Sequence, residues 1–309
     1  MNEPEFDRDF DPAHGRLVPA ARQVARLTAP NTGPMTFTGT NTYIVGDRSV
    51  AVIDPGPENE THYEALKAAL AGRHVSHILV SHTHKDHSPL AARLAEDFAA
   101  PVLAEGPHRA ARPLHVDEVN PLSESADMAF VPSLRLAHGD VVEGDGWSLE
   151  AVHTPGHTAN HLAFALAGTG ILFSADHVMA WATTVIAPPD GAMGDYMASL
   201  DRLMARDDTL YLPGHGGPVR QPRPFVRALK AHRRMRERAI LERIRAGDRS
   251  IAEVVAWIYR DTDPRLLKAA ALSVLAHVED MVSRGVLATD GPPSLTGEYV
   301  VGDEADHRP

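Results

Sequence analysis

The sequence predicts an α+β protein built in two parts, and three observations point there. Between residues 40 and 104, apolar runs of strand length alternate with stretches whose apolar residues recur at helical spacing. That β-α-β-α-β rhythm favours a mixed sheet with helices packed outside it. Beyond residue 222 the pattern changes to three helices and a short terminal hairpin. The charge changes at the same point. Residues 1–222 carry 15 Lys+Arg against 28 Asp+Glu, residues 223–285 carry 14 against 8, and residues 286–309 carry 1 against 5, within a net −11. An acidic body followed by a basic segment reads as two domains, 1–222 and 223–309, with different surfaces.

Taken in order, residues 1–15 are acidic and weakly hydrophobic, which predicts a loosely attached segment. Residues 17–28 alternate as one strand would, and residues 40–45 and 50–53 form two strands around the turn Gly46-Asp47-Arg48, closed by Asp54-Pro55-Gly56. Residues 59–71 are an amphipathic helix, 75–80 a strand, 89–98 a helix and 101–104 a strand. Residues 105–126 hold three prolines and no periodicity, so they predict a long loop, one lip of a cleft. Strands follow at 128–136, 141–152 (broken by Gly144-Asp145-Gly146), 162–166 and 171–175. Residues 177–194 form a second long loop, in which Trp181 is either a wall of the pocket or a packing anchor. A helix at 196–205 and a strand at 209–212 complete the body.

The second domain opens with a basic helix over 224–246, since residues 223–249 hold 10 Lys/Arg against 3 acids. Ser250 with Glu253 three residues on predicts a capped helix over 251–259. Asp263-Pro264 starts a third helix that Gly285 stops near residue 284. Short strands at 286–288 and 299–301 then give the layout of a winged helix.

The chemistry is concentrated in Ser81-His82-Thr83-His84-Lys85-Asp86-His87, on the turn between a strand and a helix. His82 and His84, two apart in extended chain, face one side, while Asp86 and His87 lie where the helix begins. Imidazole and carboxylate together suit zinc and related divalent ions. His82-x-His84-x-Asp86-His87 resembles the signature of the metallo-β-lactamase-fold hydrolases. Three further positions match that family's order. His157 stands in Thr154-Pro155-Gly156-His157, Asp176 ends the strand at 171–175, and His215 follows Leu212-Pro213-Gly214. Asn41-Thr42-Tyr43 and Asp54-Pro55-Gly56 are similar to the family's opening hairpin.

The resemblance implies a four-layer αββα sandwich carrying a C-terminal winged-helix-like domain. It also implies a site for two divalent ions, with zinc the expected metal. His82, His84 and His157 would hold one ion, Asp86, His87 and His215 the other, with Asp176 bridging. Two ions about 3.5–4 Å apart can share a water whose pKa falls from 15.7 toward about 7. The implied reaction is therefore hydrolysis by a metal-bridging hydroxide that Asp86, the catalytic residue, orients. Asp54 is implied to orient the ligand loop from behind. His161 and His177 are candidates for substrate contact or ligand support. The other eleven histidines, from His14 to His307, have no spacing argument.

Within the superfamily, Asp176 excludes the β-lactamases that carry Cys at this position, and His84 argues against the flavo-diiron oxidoreductases, which carry Glu. The closest resemblance is to the lactamase-beta-like group with a C-terminal winged helix, which includes an endoribonuclease and fungal polyketide thioesterases. Three functions stay open. The first is hydrolysis of a small ester, thioester or lactone, which the acidic body favours. The second is single-strand endoribonuclease activity, with the basic helix as a phosphate track. The third is a ligand-sensing winged-helix regulator. A small-molecule substrate is expected, nucleic acid is the less favoured partner, and no membrane partner is expected because no apolar stretch could span a bilayer. A chain with no cysteine and no signal-like start reads as cytoplasmic.

Overall fold

The computed structural model describes residues 3–302; the remaining residues, His307 among them, lie outside the described region. The first sheet takes seven strands in chain order: β1 (Val18–Ala21), β2 (Val24–Thr28), β3 (Asn41–Val45), β4 (Ser49–Ile53), β5 (His74–Leu79), β6 (Val102–Ala104) and β7 (Leu134–Arg135). The pairs from β1 to β4 are antiparallel hairpins, and those from β4 to β7 are parallel. Helix α1 (Glu60–Leu70) crosses from β4 to β5, and α2 (Leu90–Phe98) from β5 to β6. The second sheet holds β8 (Val141–Gly144), β9 (Trp147–His153), β10 (Leu162–Leu166), β11 (Ile171–Ala175) and β12 (Leu210–Pro213), in the order β12-β11-β10-β9-β8. Helix α3 (Met193–Met204) is the crossover that makes β11 and β12 parallel.

Strand alternation sends each sheet's side chains to two separate cores. Tyr43, Val45, Ile53 and Leu79 meet Leu149, Leu162, Phe164 and Phe173 between the sheets. Ile44, Val52 and Ile78 point the other way, onto Tyr63, Leu66 and Leu70 of α1 and Leu94 of α2. Behind the second sheet, Ala163, Leu172 and Tyr211 pack on Tyr196 and Leu200 of α3. The layers are thus helices, sheet, sheet, helices, the αββα sandwich that the sequence implied.

The second domain comprises α4 (Pro222–Arg245), α5 (Ile251–Ile258), α6 (Leu267–Ser283), β13 (Leu287–Ala288) and β14 (Val300–Val301), an antiparallel wing. Ser250 and Glu253 form the capping box their spacing predicted. Helix α4 belongs to both parts. Val226 and Leu229 lie in the core behind the second sheet, whereas Ile240 and Ile244 join Val274, Val278 and Tyr299 in the helical core. No helix among the described residues is long and apolar enough to cross a membrane.

Four local expectations change. Residues 17–28 are a hairpin rather than one strand, because the chain reverses at Gln23, whose φ is +60°. Of residues 128–136 only Leu134–Arg135 is strand; Phe130 N donates to Asp127 O in a turn, and Pro132 has no N–H for a ladder. The third helix begins as a 3₁₀ turn at Pro264–Leu266. Residues 3–14 have no regular structure but are anchored. Phe6 packs edge-on to Phe225, Arg26 lies over the Phe10 ring, and Asp7 N donates to Ala180 O at 2.9 Å. Two aromatic anchors outweigh the acidic composition there.

Candidate metal centre

Parallel strands bring the functional residues together. The C-terminal ends of β4 and β5 adjoin in the first sheet, delivering Asp54 and the 81–87 loop. Those of β11 and β12 adjoin in the second, delivering Asp176 and His215. Leu162 N donates to Ser81 O at 2.7 Å and Asn41 N to Gly214 O at 2.7 Å, tying the two sheets at this edge. Asn41 Nδ2 also donates to the carbonyls of Pro213 and Gly216, and Tyr43 Oη to Pro213, so β3 clasps the His215 loop. Position 214 must be glycine because a Cβ there would sit 2.5 Å from Asp176 Oδ1 and 2.8 Å from the His87 ring. Gly156, at φ +137° and pressed on the backbone of Tyr196, lets the chain turn just before His157.

The seven predicted positions converge on one point. His84 Nδ1 lies 3.0 Å from both His82 Nε2 and His157 Nε2. Asp86 Oδ2 lies 3.2 Å from both His87 Nε2 and His215 Nε2. Asp176 stands between these trios, with Oδ1 3.4 Å from His87 Nε2 and Oδ2 3.4 Å from His215 Nε2 and 3.6 Å from His157 Nε2. Ligands at 2.0–2.2 Å from a tetrahedral ion stand roughly 3.3–3.6 Å apart, so these spacings suit divalent cations. His84, His157 and His82 form one group that could hold an ion, and Asp86, His87 and His215 another. His87 Nε2 and Asp176 Oδ1 are buried without a hydrogen-bond partner among the described residues, a cost that a cation would remove.

Four of the five imidazoles are fixed through the far nitrogen, whereas His84 Nε2 is buried without a partner among the described residues. His87 Nδ1 donates to Asp54 Oδ2 at 3.0 Å, His157 Nδ1 to Val185 O at 2.7 Å, and His215 Nδ1 to Gly39 O at 3.2 Å. Ser81 Oγ donates to Asp54 Oδ2 at 2.7 Å and can therefore accept from His82 Nδ1, 3.0 Å away. These bonds leave the Nε2 lone pairs of His82, His87, His157 and His215 turned inward. Asp54, itself at φ +52°, also accepts from Ser81 N and so shapes the ligand loop.

Electrostatics separate the two trios. Burial, with His87 and the other trio members adding to it, pushes His82 well below the usual histidine range; burial and His157 bring His84 down to about 3. Burial opposes charge on His87 and His215 too, but Asp86 and Asp176 outweigh it, holding His87 well above normal and His215 up to about 10. Burial would raise the two carboxylates, yet His87 and His215 hold both well below the usual range. His82 and His84 are therefore neutral, whereas Asp86, Asp176, His87 and His215 form an ion-paired acid–imidazolium group whose protons a cation would displace.

His161 and His177 do not enter the cluster of ligand atoms. His161 Nδ1 lies 2.8 Å from Thr154 Oγ1, and the His177 ring packs tilted against Tyr196, with centroids 4.6 Å apart. The two long loops do flank the centre, and Asp190 joins them through Asn120 Nδ2 at 2.7 Å and His108 Nε2 at 3.2 Å. Trp181 serves both readings, stacking on Phe37 at 4.9 Å and lining a cavity of about 300 Å³. Thr40, whose hydroxyl donates to Asp86 Oδ2 at 3.1 Å, and Thr184, whose hydroxyl donates to Asp176 O at 2.6 Å, were not singled out from sequence. Nothing in a threonine's local spacing shows that a strand from another part of the chain ends beside it.

Comparison with known proteins agrees with this geometry. The profile of the metallo-beta-lactamase superfamily matches residues 35–215. The chain belongs to that superfamily. A second profile, the beta-lactamase associated winged helix domain, matches residues 250–291. A beta-lactamase-like protein 2 homolog of Drosophila melanogaster is 30% identical over 290 residues, covering 88% of this chain and 93% of that protein. An atrochrysone carboxyl ACP thioesterase of Paecilomyces divaricatus is 29% identical, covering 71% of this chain and 65% of that one. The crystal structure of a beta-lactamase domain protein from Burkholderia ambifaria superposes with a TM-score of 0.79 at 25% identity, covering 97% of each chain. The metallo-β-lactamase fold followed by a winged helix is thereby shown, and the chain is a member of a hydrolase superfamily.

Proposed function

We propose that this chain is a cytoplasmic hydrolase dependent on two divalent metal ions, zinc the expected one, acting on a small ester, thioester or lactone. The observation that carries the reading is Asp176, one carboxylate within 3.4–3.6 Å of His87, His157 and His215 and so shared by two ligand trios. Two ions held there would supply Lewis-acid chemistry, polarising a substrate carbonyl and lowering the pKa of a shared water. His82, His84 and His157 would hold one ion, and Asp86, His87 and His215 the other. Asp86 exposes 25% of its side chain, against 10% or less for His87, His157, Asp176 and His215, so it is the ligand that an entering water or substrate meets. Thr40 fixes its rotamer, which lets Asp86 orient the attacking water. Thioesterase relatives support acyl substrates over phosphodiesters.

The basic helix gives nucleic acid a weaker footing. Arg227, Arg234 and Arg238 are exposed on one stripe of α4 and have no ion pair among the described residues. Arg236 and His232, which line the cavity beside the centre, face the opposite side of that helix, about half a turn away. A phosphate track on the stripe would lead away from the metal ligands. The test is a screen of the purified, metal-loaded protein against thioester, ester, lactone and single-stranded RNA. The proposal expects turnover of an acyl substrate that chelator abolishes, restored zinc recovers and salt barely changes. RNA cleavage that fades steeply with salt, with no acyl turnover, would replace it with the nuclease.

A further inference from the structure

The cavity lined by Trp181 lies between the 177–191 loop, residues 34–35 and the helical domain. Its apolar wall comes from Phe6, Met35, Met179 and Trp181, its cations are Arg8, Arg233 and Arg236, and His232 lines it as well. No Asp or Glu lines it. Arg233 is only 4% exposed, and its guanidinium has no ion pair among the described residues. It donates to Thr184 O and lies 5.1 Å over the Tyr196 ring, while Nε has no partner. Trp181 Nε1 is likewise buried without an acceptor. A buried cation without an acid costs several kcal/mol unless something else neutralises it. Burial, reinforced by Arg233 and Arg236, keeps the neighbouring His232 (down to about 4) and His277 neutral, so the arginines carry the local charge.

The cavity shares a wall with the metal centre. Thr184 accepts from Arg233 through its carbonyl while its hydroxyl donates to Asp176 O, and the next residue's carbonyl, Val185 O, orients His157. We propose that this cavity is an anion subsite in which Arg233, Arg236 and Trp181 Nε1 hold a carboxylate or phosphate at the far end of the substrate. An occupied subsite would place an acyl chain along the apolar wall toward Asp86, a placement that rests on the hydrolase reading above.

The test is direct binding. Inorganic phosphate and acetate are titrated separately into the metal-loaded protein, followed by tryptophan fluorescence and thermal melting. Trp181→Phe assigns the signal, since Trp147 and Trp257 lie elsewhere. A saturable response that is absent in Trp181→Phe and weakened tenfold or more in Arg233→Gln and Arg236→Gln supports the subsite, as loss of a charge-assisted hydrogen bond requires. The tighter anion assigns the phosphate or carboxylate class. Arg236 is half-buried and stacks on Tyr259, so Arg236→Gln decides if Arg233→Gln does not fold. Unchanged affinity in the arginine variants, as for phosphate held at the metal ions, overturns the proposal, and so does the absence of saturable binding. Phosphate binding lost in Arg236→Gln, in a protein that hydrolyses none of the acyl substrates, upholds the subsite and rejects only the hydrolase.

Discussion

Replacing Asp54 with Asn tests how the centre is pre-set while leaving its volume nearly unchanged. Asp54 accepts from Ser81 N and Ser81 Oγ at 2.7 Å and from His87 Nδ1 at 3.0 Å. An Asn that keeps its carbonyl on Ser81 N turns its NH₂ toward His87. His87 Nδ1 must then accept, so its proton moves to Nε2, the atom 3.2 Å from Asp86 Oδ2 and 3.4 Å from Asp176 Oδ1. A protonated Nε2 cannot ligate. Loss of such a supporting carboxylate weakens metal binding by about 10–100-fold, roughly 1.4–2.7 kcal/mol. The effect should fall most heavily on the Asp86–His87–His215 trio, with a smaller one on His82, whose Nδ1 partner Ser81 Oγ loses its own acceptor. Competition with a chromophoric chelator should therefore show one ion weakened by that factor and the other weakened less. Two ions bound with unchanged affinities in Asp54→Asn would refute the tautomer argument.

The neighbouring pair Asp176 and His177 separates ligand from support. Asp176→Ala should lose at least one of two ions and reduce kcat by more than the ~100-fold expected of a supporting residue, whereas His177→Ala should keep both ions by elemental analysis and cost roughly 2–4 kcal/mol of stability for the cavity left against Tyr196. Metals lost in His177→Ala but retained in Asp176→Ala would reverse the assignment. The acid limb of stability should carry a mark of His62. Burial brings it down to about 4 from an ordinary 6.5, so between these values the unfolded chain binds the proton and the folded chain does not. Stability is therefore lost as pH falls from about 6.5 to 4, by about 3 kcal/mol at the limit, and His62→Gln should flatten that part of a denaturation series. Parallel pH profiles for wild type and His62→Gln would exclude His62 as the source.

The centre was legible where its residues are adjacent in sequence. His82, His84, Asp86 and His87 declare themselves because four ligand-type side chains in six positions require a tight turn to converge. His157, Asp176 and His215 required the resemblance, since nothing local to a Pro-Gly turn or a strand end shows that it meets another such turn. The helices were read well because their periodicity and caps are local, as at Ser250. Strands were read less well where pairing decides them. Residues 128–133 have β-compatible composition but no ladder, because β6 offers its edge only to Leu134–Arg135.

The least legible feature was the join between the domains. The change of charge near residue 222 marks where α4 begins, yet that helix is continuous from Pro222 to Arg245 and is buried in both cores. Charge reports the solvent face, and the exposed arginines of α4 say nothing about Val226 and Leu229 on its other side. That buried side carries the consequence. With its first turns fixed behind the second sheet and its last turns in the helical core, α4 has little freedom to swing. Arg233, midway along it, is therefore held against Thr184, the residue whose hydroxyl bonds the Asp176 backbone. The helical domain is thus built into the wall of the candidate metal centre, joined to it through Arg233 and the backbone of Thr184.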